Sequence, residues 1–469
     1  MKLVKLLACI LVPLLILFLP FETIPLTGIT EIEKRVIAIF VFAAFSWVLE
    51  PIPIYTTSLA IILLELTLLS DKALIFLKYD TANYGTSIAY SDILHTFASP
   101  IIILFLGGFF LAMAATKYRL DQNLARVLLS PFGSSPKSLM FGVMLITAVF
   151  SMFMSNTATT AMMLSILTPV LALCQPNDRG KIGLLLSVPV AANIGGIGTP
   201  IGTPPNAVAL KYLTGDDVIS FGGWMVFAVP YVAILLVIGW LVLVFIYPIQ
   251  TDKIKLDIKG KFLKNTKAYV VYATFIVTIL LWLTDFLHGM NAYIVAMIPV
   301  TVFSTTGIIN KKDLQNISWD VLWLVSGGIA LGLALDLTGL ADRVISSIAF
   351  ETYPPLMIVA AASLIAALMA NFMSNTATAN LLLPLIAIVG TTVTSLTDIG
   401  GSQMVIIVTT IACSMGMALP ISTPPNALAF GTGMITTKDM AKPGIMIAVI
   451  GLLLSYGLVF LMNLTSFFE

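Results

Sequence analysis

Charge is scarce in this chain. Of its 469 residues, 10% are Asp, Glu, Lys or Arg, against 59% hydrophobic. Soluble domains carry about 25% charged residues, so the composition excludes an ordinary globular enzyme. The windows 138–177, 352–397 and 399–437 hold no charged residue at all. Histidine is limited to His95 and His288, which share no motif, and HExxH does not occur. Chemistry that needs titratable groups at depth therefore has little to draw on. The three cysteines, Cys9, Cys174 and Cys413, lie in apolar runs without metal-like spacing and read as buried small hydrophobes. A net charge of +1 leaves no footprint for nucleic acid.

What the chain has instead is apolar length. Helical spans need about 20 apolar residues each. The sequence predicts spans at 6–26, 34–49, 55–70, 99–116, 183–213, 223–248, 268–286, 291–309, 319–337, 402–431 and 443–463, eleven in all. Two more apolar stretches, 138–176 and 354–395, each carry FMSNTAT near the middle, at 153–159 and 372–378. Each half of such a stretch is short for a full crossing, which fits a re-entrant hairpin that enters and leaves on one side. The fold class is thus an all-α polytopic membrane protein, with about eleven transmembrane helices and two hairpins.

Basic residues orient it. With the N-terminus inside, the inner side holds Lys2, Lys5, Lys117, Arg119, Arg126, Lys137, Arg179, Lys181, the six lysines from Lys253 to Lys267, Lys311, Lys312, Lys438 and Lys442, which is 18 of 24. Lys34, Arg35, Lys72, Lys78, Lys211 and Arg343 fall outside. The expected arrangement is a multi-pass protein of the plasma membrane with a cytoplasmic N-terminus and an extracytoplasmic C-terminus. The lysine-rich stretch 250–267 reads as a cytoplasmic linker between two halves.

Those halves repeat. LFLGGFFLAMA at 104–114 matches LVSGGIALGLA at 324–334, and GTPIGTPPNA at 198–207 matches ALPISTPPNA at 418–427, both at offset 220; FMSNTAT recurs at offset 219. Three motifs in one order at one spacing define a duplication. The first hairpin follows an inside loop (117–137) and the second an outside loop (338–353), so the halves are predicted to be inverted. Inverted repeats with interrupted helices point to a secondary transporter whose site lies where the repeats meet.

The motifs supply the chemistry. At a hairpin tip, one arm ends in unpaired carbonyls and the next begins with unpaired N–H groups. Ser155-Asn156-Thr157 and Ser374-Asn375-Thr376 are good N-caps and add neutral oxygens. Such a tip offers amides to an anion and carbonyls to a cation. Thr203-Pro204-Pro205 and Thr423-Pro424-Pro425 restart a helix after a break. Carbonyls left free at such breaks suit Na⁺, and two cation sites are expected, each between a tip and a break. No Lys or Arg lies in either motif region, so a dianion there depends on amide dipoles and co-bound cations. Ser, Thr and Asn also serve as interhelical glue. For a single SNT cluster that reading prevails; two copies, each followed by a TPPN break, reverse it. Isolated Asn193, Asn371 and Asn380 stay evenly divided between packing and function.

These residues resemble the divalent anion/sodium symporter family, over nearly the whole chain. The resemblance implies a homodimer in which a transport domain moves as an elevator against a scaffold. It implies 1–116 as N-terminal spans, mainly scaffold, and 117–248 as the first transport half. A linker would follow at 249–267, then mainly scaffold at 268–337 and the second transport half at 338–469. It implies a first Na⁺ site from Ser151, Ser155, Asn156 and the Gly198 carbonyl, and a second from Asn375 with carbonyls near Met373 and Ala418. The substrate carboxylates would meet Asn156, Thr157, Ser374, Asn375 and Thr376, with Pro420 alongside. Sulfate, citrate and C4-dicarboxylates all suit such neutral donors, and two facing tips, one cap per carboxylate, favour a C4-dicarboxylate. Leu419 stands where the first half has Thr199, which predicts an asymmetric site.

Three rivals remain at this stage. A membrane enzyme lacks its catalytic groups. A sodium-independent exchanger of the same fold calls for a fixed basic side chain near the tips, and none is visible. A channel fits broken helices but not inverted repeats. Glu65 and Asp336 are intramembrane carboxylates, yet both lie outside the repeated motifs, which ranks a proton relay below Na⁺ coupling.

Overall fold

The computed structural model describes residues 2–75, 83–132, 135–172, 174–175, 178–251, 261–348 and 350–465. Lys78 and the stretch 252–260 of the lysine-rich linker lie outside them. The described chain is helical, with one isolated bridge between Ser70 and Ile88 and no strand. Among the described residues, eight helices are long and apolar enough to cross a membrane, and five more apolar helices are shorter.

Both 183–213 and 402–431 are interrupted, as their motifs predict. The first broken helix runs Gly180–Gly196, then Pro204–Leu210; the second runs Gly401–Cys413, then Pro424–Gly431. Each second piece starts with Pro at its first position after an extended Thr, Thr203 or Thr423.

Both FMSNTAT stretches fold as hairpins. The first pairs Pro136–Phe153 with Asn156–Ala172. Its start and finish lie at one end of the helix Phe221–Ile246: the Trp240 indole donates to the Lys137 carbonyl (3.0 Å), and the Gln175 N–H reaches Thr251 (3.4 Å). The second pairs Pro355–Phe372 with Asn375–Thr392. Glu351, just before it, accepts from the Thr394 N–H (2.8 Å) and hydroxyl (3.0 Å), just after it.

The helices that follow the breaks, Phe221–Ile246 and Thr437–Leu464, lie antiparallel. Tyr231 donates to the Gly451 carbonyl and Tyr247 to the Asp439 carbonyl, each at 2.8 Å. The second hairpin opens near the C-terminal end of Thr437–Leu464, where Asn463 donates to the Asp398 carbonyl (3.2 Å). The two hairpins therefore open toward opposite ends of the bundle. Phe245, Leu453 and Phe460 point outward, as membrane-facing side chains do.

The repeated glycine pairs sit on Pro100–Lys117 and Trp319–Leu337, and Gly107, Gly327 and Gly328 lie at contacts too close for a larger residue. A Cβ on Gly107 would lie 2.5 Å from the Ala296 carbonyl oxygen, and one on Gly327 would lie 2.4 Å from Ser58. The second glycines face the repeat motifs: Gly108 faces Ile201 of the first break, and Gly328 faces Asn380 of the second hairpin. Small residues allow helices to approach closely in this way. Asn380 uses the space to donate to the Leu324 carbonyl (3.0 Å).

Lys211 departs from its expected place on an outside loop. It is largely buried at the end of Pro204–Leu210, and its Nζ donates to the Ile329 carbonyl (2.7 Å) of the second glycine-pair helix. A charge held inside the protein says nothing about a loop's side, and discounting it leaves the predicted asymmetry in place.

Candidate functional site

Each hairpin tip is built the same way. Pro136–Phe153 ends at extended Met154 (φ −129°, ψ 161°), and Pro355–Phe372 ends at extended Met373 (φ −132°, ψ 172°). The next serine caps the second arm. Ser374 accepts from the Ala377 N–H at 3.1 Å, and Ser155 from the Ala158 N–H at 3.5 Å. The first N–H groups of each second arm, those of Asn156-Thr157 and Asn375-Thr376, are left without helical partners, an arrangement suited to an anion.

The two tips and both breaks meet at one cavity of about 210 Å³. Its wall includes Ser155, Asn156 and Thr157 from the first tip and Ser374, Asn375 and Thr376 from the second. Asn193, Thr203-Pro204 and Ser422-Thr423-Pro424-Pro425 complete the polar side, and Phe105, Phe109 and Phe153 the apolar side. Among the described residues no Lys or Arg lines it, and the single ionisable residue in its wall is exposed Asp320. Pro420 is half-buried and does not reach this wall.

The remaining expected residues lie behind the tips. Ser151 is buried; its Oγ donates to the Ala192 carbonyl (2.8 Å) and lies against Asn156 Oδ1. Gly196 makes room for Asn156, since a Cβ there would sit 2.8 Å from its Nδ2. Asn375 Oδ1 is buried without a hydrogen-bond partner.

The breaks carry fewer free carbonyls than the sequence predicts, and the pattern of those left free is specific. Asn206, from the first TPPN, donates to the carbonyls of Gly196 (3.1 Å), Ile197 (3.1 Å) and Thr199 (2.8 Å). The Trp224 indole also donates to Ile197 (3.0 Å). Asn426, from the second TPPN, donates to Met417 and Leu419, both at 2.9 Å. Between the clamped neighbours stand Gly198 and Ala418, whose carbonyls accept no hydrogen bond among the described residues. Unsatisfied buried carbonyls are costly, and these two are the ones expected to face cations. The clamp was missed in the sequence although its signal was there: both asparagines sit inside the motif that repeats at offset 220.

The predicted asymmetry at Thr199 and Leu419 is real but compensated. Thr199 donates to the Met152 carbonyl, tying the first break to its hairpin. In the second half Ser422 donates to the Asn371 carbonyl (2.9 Å), the matching position in the other hairpin. Asn371 adds a second tie, accepting from the Ala418 N–H (3.0 Å). Asn371 and Asn380 are therefore both engaged in holding the second hairpin.

A helical bundle with two capped hairpins meeting two broken helices defines a multi-pass membrane transporter rather than an enzyme. The chain belongs to the family described as the sodium:sulfate symporter transmembrane region, whose profile matches residues 1–466. It is 31% identical over 450 residues to the sodium-dependent dicarboxylate transporter SdcS of Staphylococcus saprophyticus, covering 87% of this chain and 82% of that one. It is 30% identical to the sodium-dependent high-affinity dicarboxylate transporter 3 of Caenorhabditis elegans, over 73% of this chain and 70% of that one. An uncharacterised transporter of Schizosaccharomyces pombe is 29% identical over 93% of this chain, which spans half of that protein's length. In fold, the chain is similar to the Alcanivorax borkumensis YdaH transporter. The TM-score is 0.55 at 14% identity, covering 87% of this chain and 98% of that one.

Proposed function

We propose that this protein couples inward Na⁺ movement to uptake of a divalent anion, a C4-dicarboxylate such as succinate. The observation that carries the proposal is the cavity itself: two amide-bearing tips face one space that no basic side chain lines among the described residues. One tip serves each carboxylate, through Asn156 and Thr157 on one side and Ser374, Asn375 and Thr376 on the other; Pro420, set back from the cavity wall, takes no part. Relatives named as sodium-dependent dicarboxylate transporters support the same substrate class.

A dianion moved from water into such a site without compensating charge is strongly disfavoured. Na⁺ supplies the charge. The first ion takes Ser151, Ser155, Asn156 and the Gly198 carbonyl. The second takes Asn375 with the carbonyls of Met373 and Ala418. The unpartnered Asn375 Oδ1 supports that assignment.

The antiparallel post-break helices support an inverted repeat. The transport halves, 117–248 and 338–469, slide as an elevator against the scaffold spans of 1–116 and 268–337, across the second glycine of each pair. Ile54, at the start of Ile54–Leu68, and Ser318 line the cavity next to loops that the charge count assigns to the cytoplasm, which supports an inward-facing state. The protein works as a homodimer in the plasma membrane, N-terminus inside and C-terminus outside.

Uptake into liposomes of purified protein tests this, comparing succinate, citrate and sulfate under Na⁺ or K⁺ gradients. Succinate should accumulate with Na⁺ alone. Succinate binding that is equally tight in Na⁺, K⁺ and choline overturns the proposal.

A further inference from the structure

The two carbonyl clamps are joined to each other, and the join is one-sided. Asn426 gives both N–H groups of its amide to Met417 and Leu419. That fixes the amide's orientation and turns Oδ1 away from the break. Asn193, in the upstream half of the first broken helix, donates Nδ2 to this oxygen at 3.1 Å. One buried hydrogen bond thus runs from the helix that ends at the first free carbonyl to the clamp that isolates the second.

Repeat symmetry calls for a twin. The short post-break helices pack crosswise, Pro204–Leu210 on Gly401–Cys413 and Pro424–Gly431 on Gly180–Gly196. Asn206 also spends its Nδ2 on its own break, and its Oδ1 is buried with no partner. At offset 220 the counterpart of Asn193 is Cys413. A thiol is a weak donor, and the second link is missing.

We infer that the Asn193–Asn426 hydrogen bond couples the two cation positions, so that filling one raises the affinity of the other. This rests on the Na⁺-coupled reading above. Asn206 and Asn426 act as positioning residues, because they touch the carbonyls beside each cation rather than the cation. The physical route is shared ordering. A cation on Ala418 immobilises the second break and its clamp, which holds Asn193 and the first broken helix. The next cation then finds its ligands already ordered, a form of cooperativity that needs no large movement. The orphaned Asn206 oxygen marks where a second coupling element is absent.

Na⁺ titration of the purified full chain without anion, followed calorimetrically, tests this. Wild type should bind with a Hill coefficient clearly above one. Asn193→Ala should bring the coefficient toward one and raise the midpoint about two- to tenfold, the range of one ordinary hydrogen bond. Cys413→Asn should supply the missing donor, lower the midpoint and steepen the curve. The double variant should recover cooperativity, which a merely structural role for Asn193 does not predict. Asn193→Ala that elutes normally and keeps the wild-type coefficient and midpoint overturns the inference. If that variant fails to fold, an unchanged curve for Cys413→Asn overturns it equally. Wild type that binds Na⁺ with a coefficient of one defeats the coupling but leaves the Na⁺ reading intact. Wild type that binds no Na⁺ defeats both.

Discussion

Lys211 donates to the carbonyl of Ile329 at 2.7 Å, and this bond joins the restarted first broken helix to the second glycine-pair helix. The Ile329 carbonyl accepts from a charged donor, a hydrogen bond of about 1.5–3 kcal/mol. Lys211→Met should therefore lower the melting temperature in detergent. Turnover in liposomes should fall in this variant more than succinate affinity does, because Lys211 bridges the surfaces proposed to slide. A variant as stable and as fast as wild type contradicts this.

Asn156 and Asn375 each offer an N–H donor and an oxygen. Asn156→Asp should keep or strengthen Na⁺ binding while repelling succinate. Asn156→Ala should weaken both, by roughly ten- to a hundredfold for a hydrogen bond to a charged group. The same split should recur at Asn375. Na⁺ and succinate affinities of the four variants, with folding checked by elution, decide it; alanine variants that transport normally reduce the tips to packing.

The tips differ in access. Thr157 is exposed to the cavity, whereas Thr376 is 8% exposed, beside a tip whose Met373 and Ala377 pack with Ile32, Val36 and Leu331. In a cysteine-free background, Thr157→Cys should react with a maleimide at least about tenfold faster than Thr376→Cys in this state. Reagent should reach Thr157→Cys from the cytoplasmic side, and Na⁺ with succinate should protect it. Equal rates, or protection by K⁺, contradict the arrangement.

Asp178 anchors the base of the first hairpin. Burial opposes its charge, yet the Thr251 hydroxyl and the N–H groups of Gly180, Gln250 and Thr251 hold its carboxyl below the ordinary 3.8. A depressed carboxylate stabilises above the unfolded value and loses that contribution as pH falls through the folded one. Asp178→Asn should therefore cost about 1–3 kcal/mol at pH 7. The gap between the two melting temperatures should start to narrow as pH falls below about 3.8 and close below the depressed folded value; a gap that does not narrow on acidification excludes the carboxylate as the cause.

Much of this architecture was legible because it is local. An uncharged run with Ser-Asn-Thr in its middle, or Thr-Pro-Pro after a flexible stretch, dictates a cap and a restart wherever it occurs. The repeat offset then doubled each reading. What stayed hidden depends on distance. Nothing near Lys211 in the sequence says that its ammonium ends against Ile329, 118 residues on. The link from Asn193 to Asn426 appears only once two helices cross. The clamps themselves are local, but the sequence shows where a helix breaks and not which side chain returns to cover the break.

The relocated hydroxyl has an evolutionary consequence. One half ties its hairpin through Thr199, the other through Ser422, and the sites opposite hold Leu419 and Gly202. In the first half a side chain at 202 would drive a Cβ to 2.4 Å from the Gly196 oxygen whatever residue stands at 199. The first half therefore cannot take the second half's tie on its present backbone, and a hydroxyl lost at 199 could not be replaced from 202.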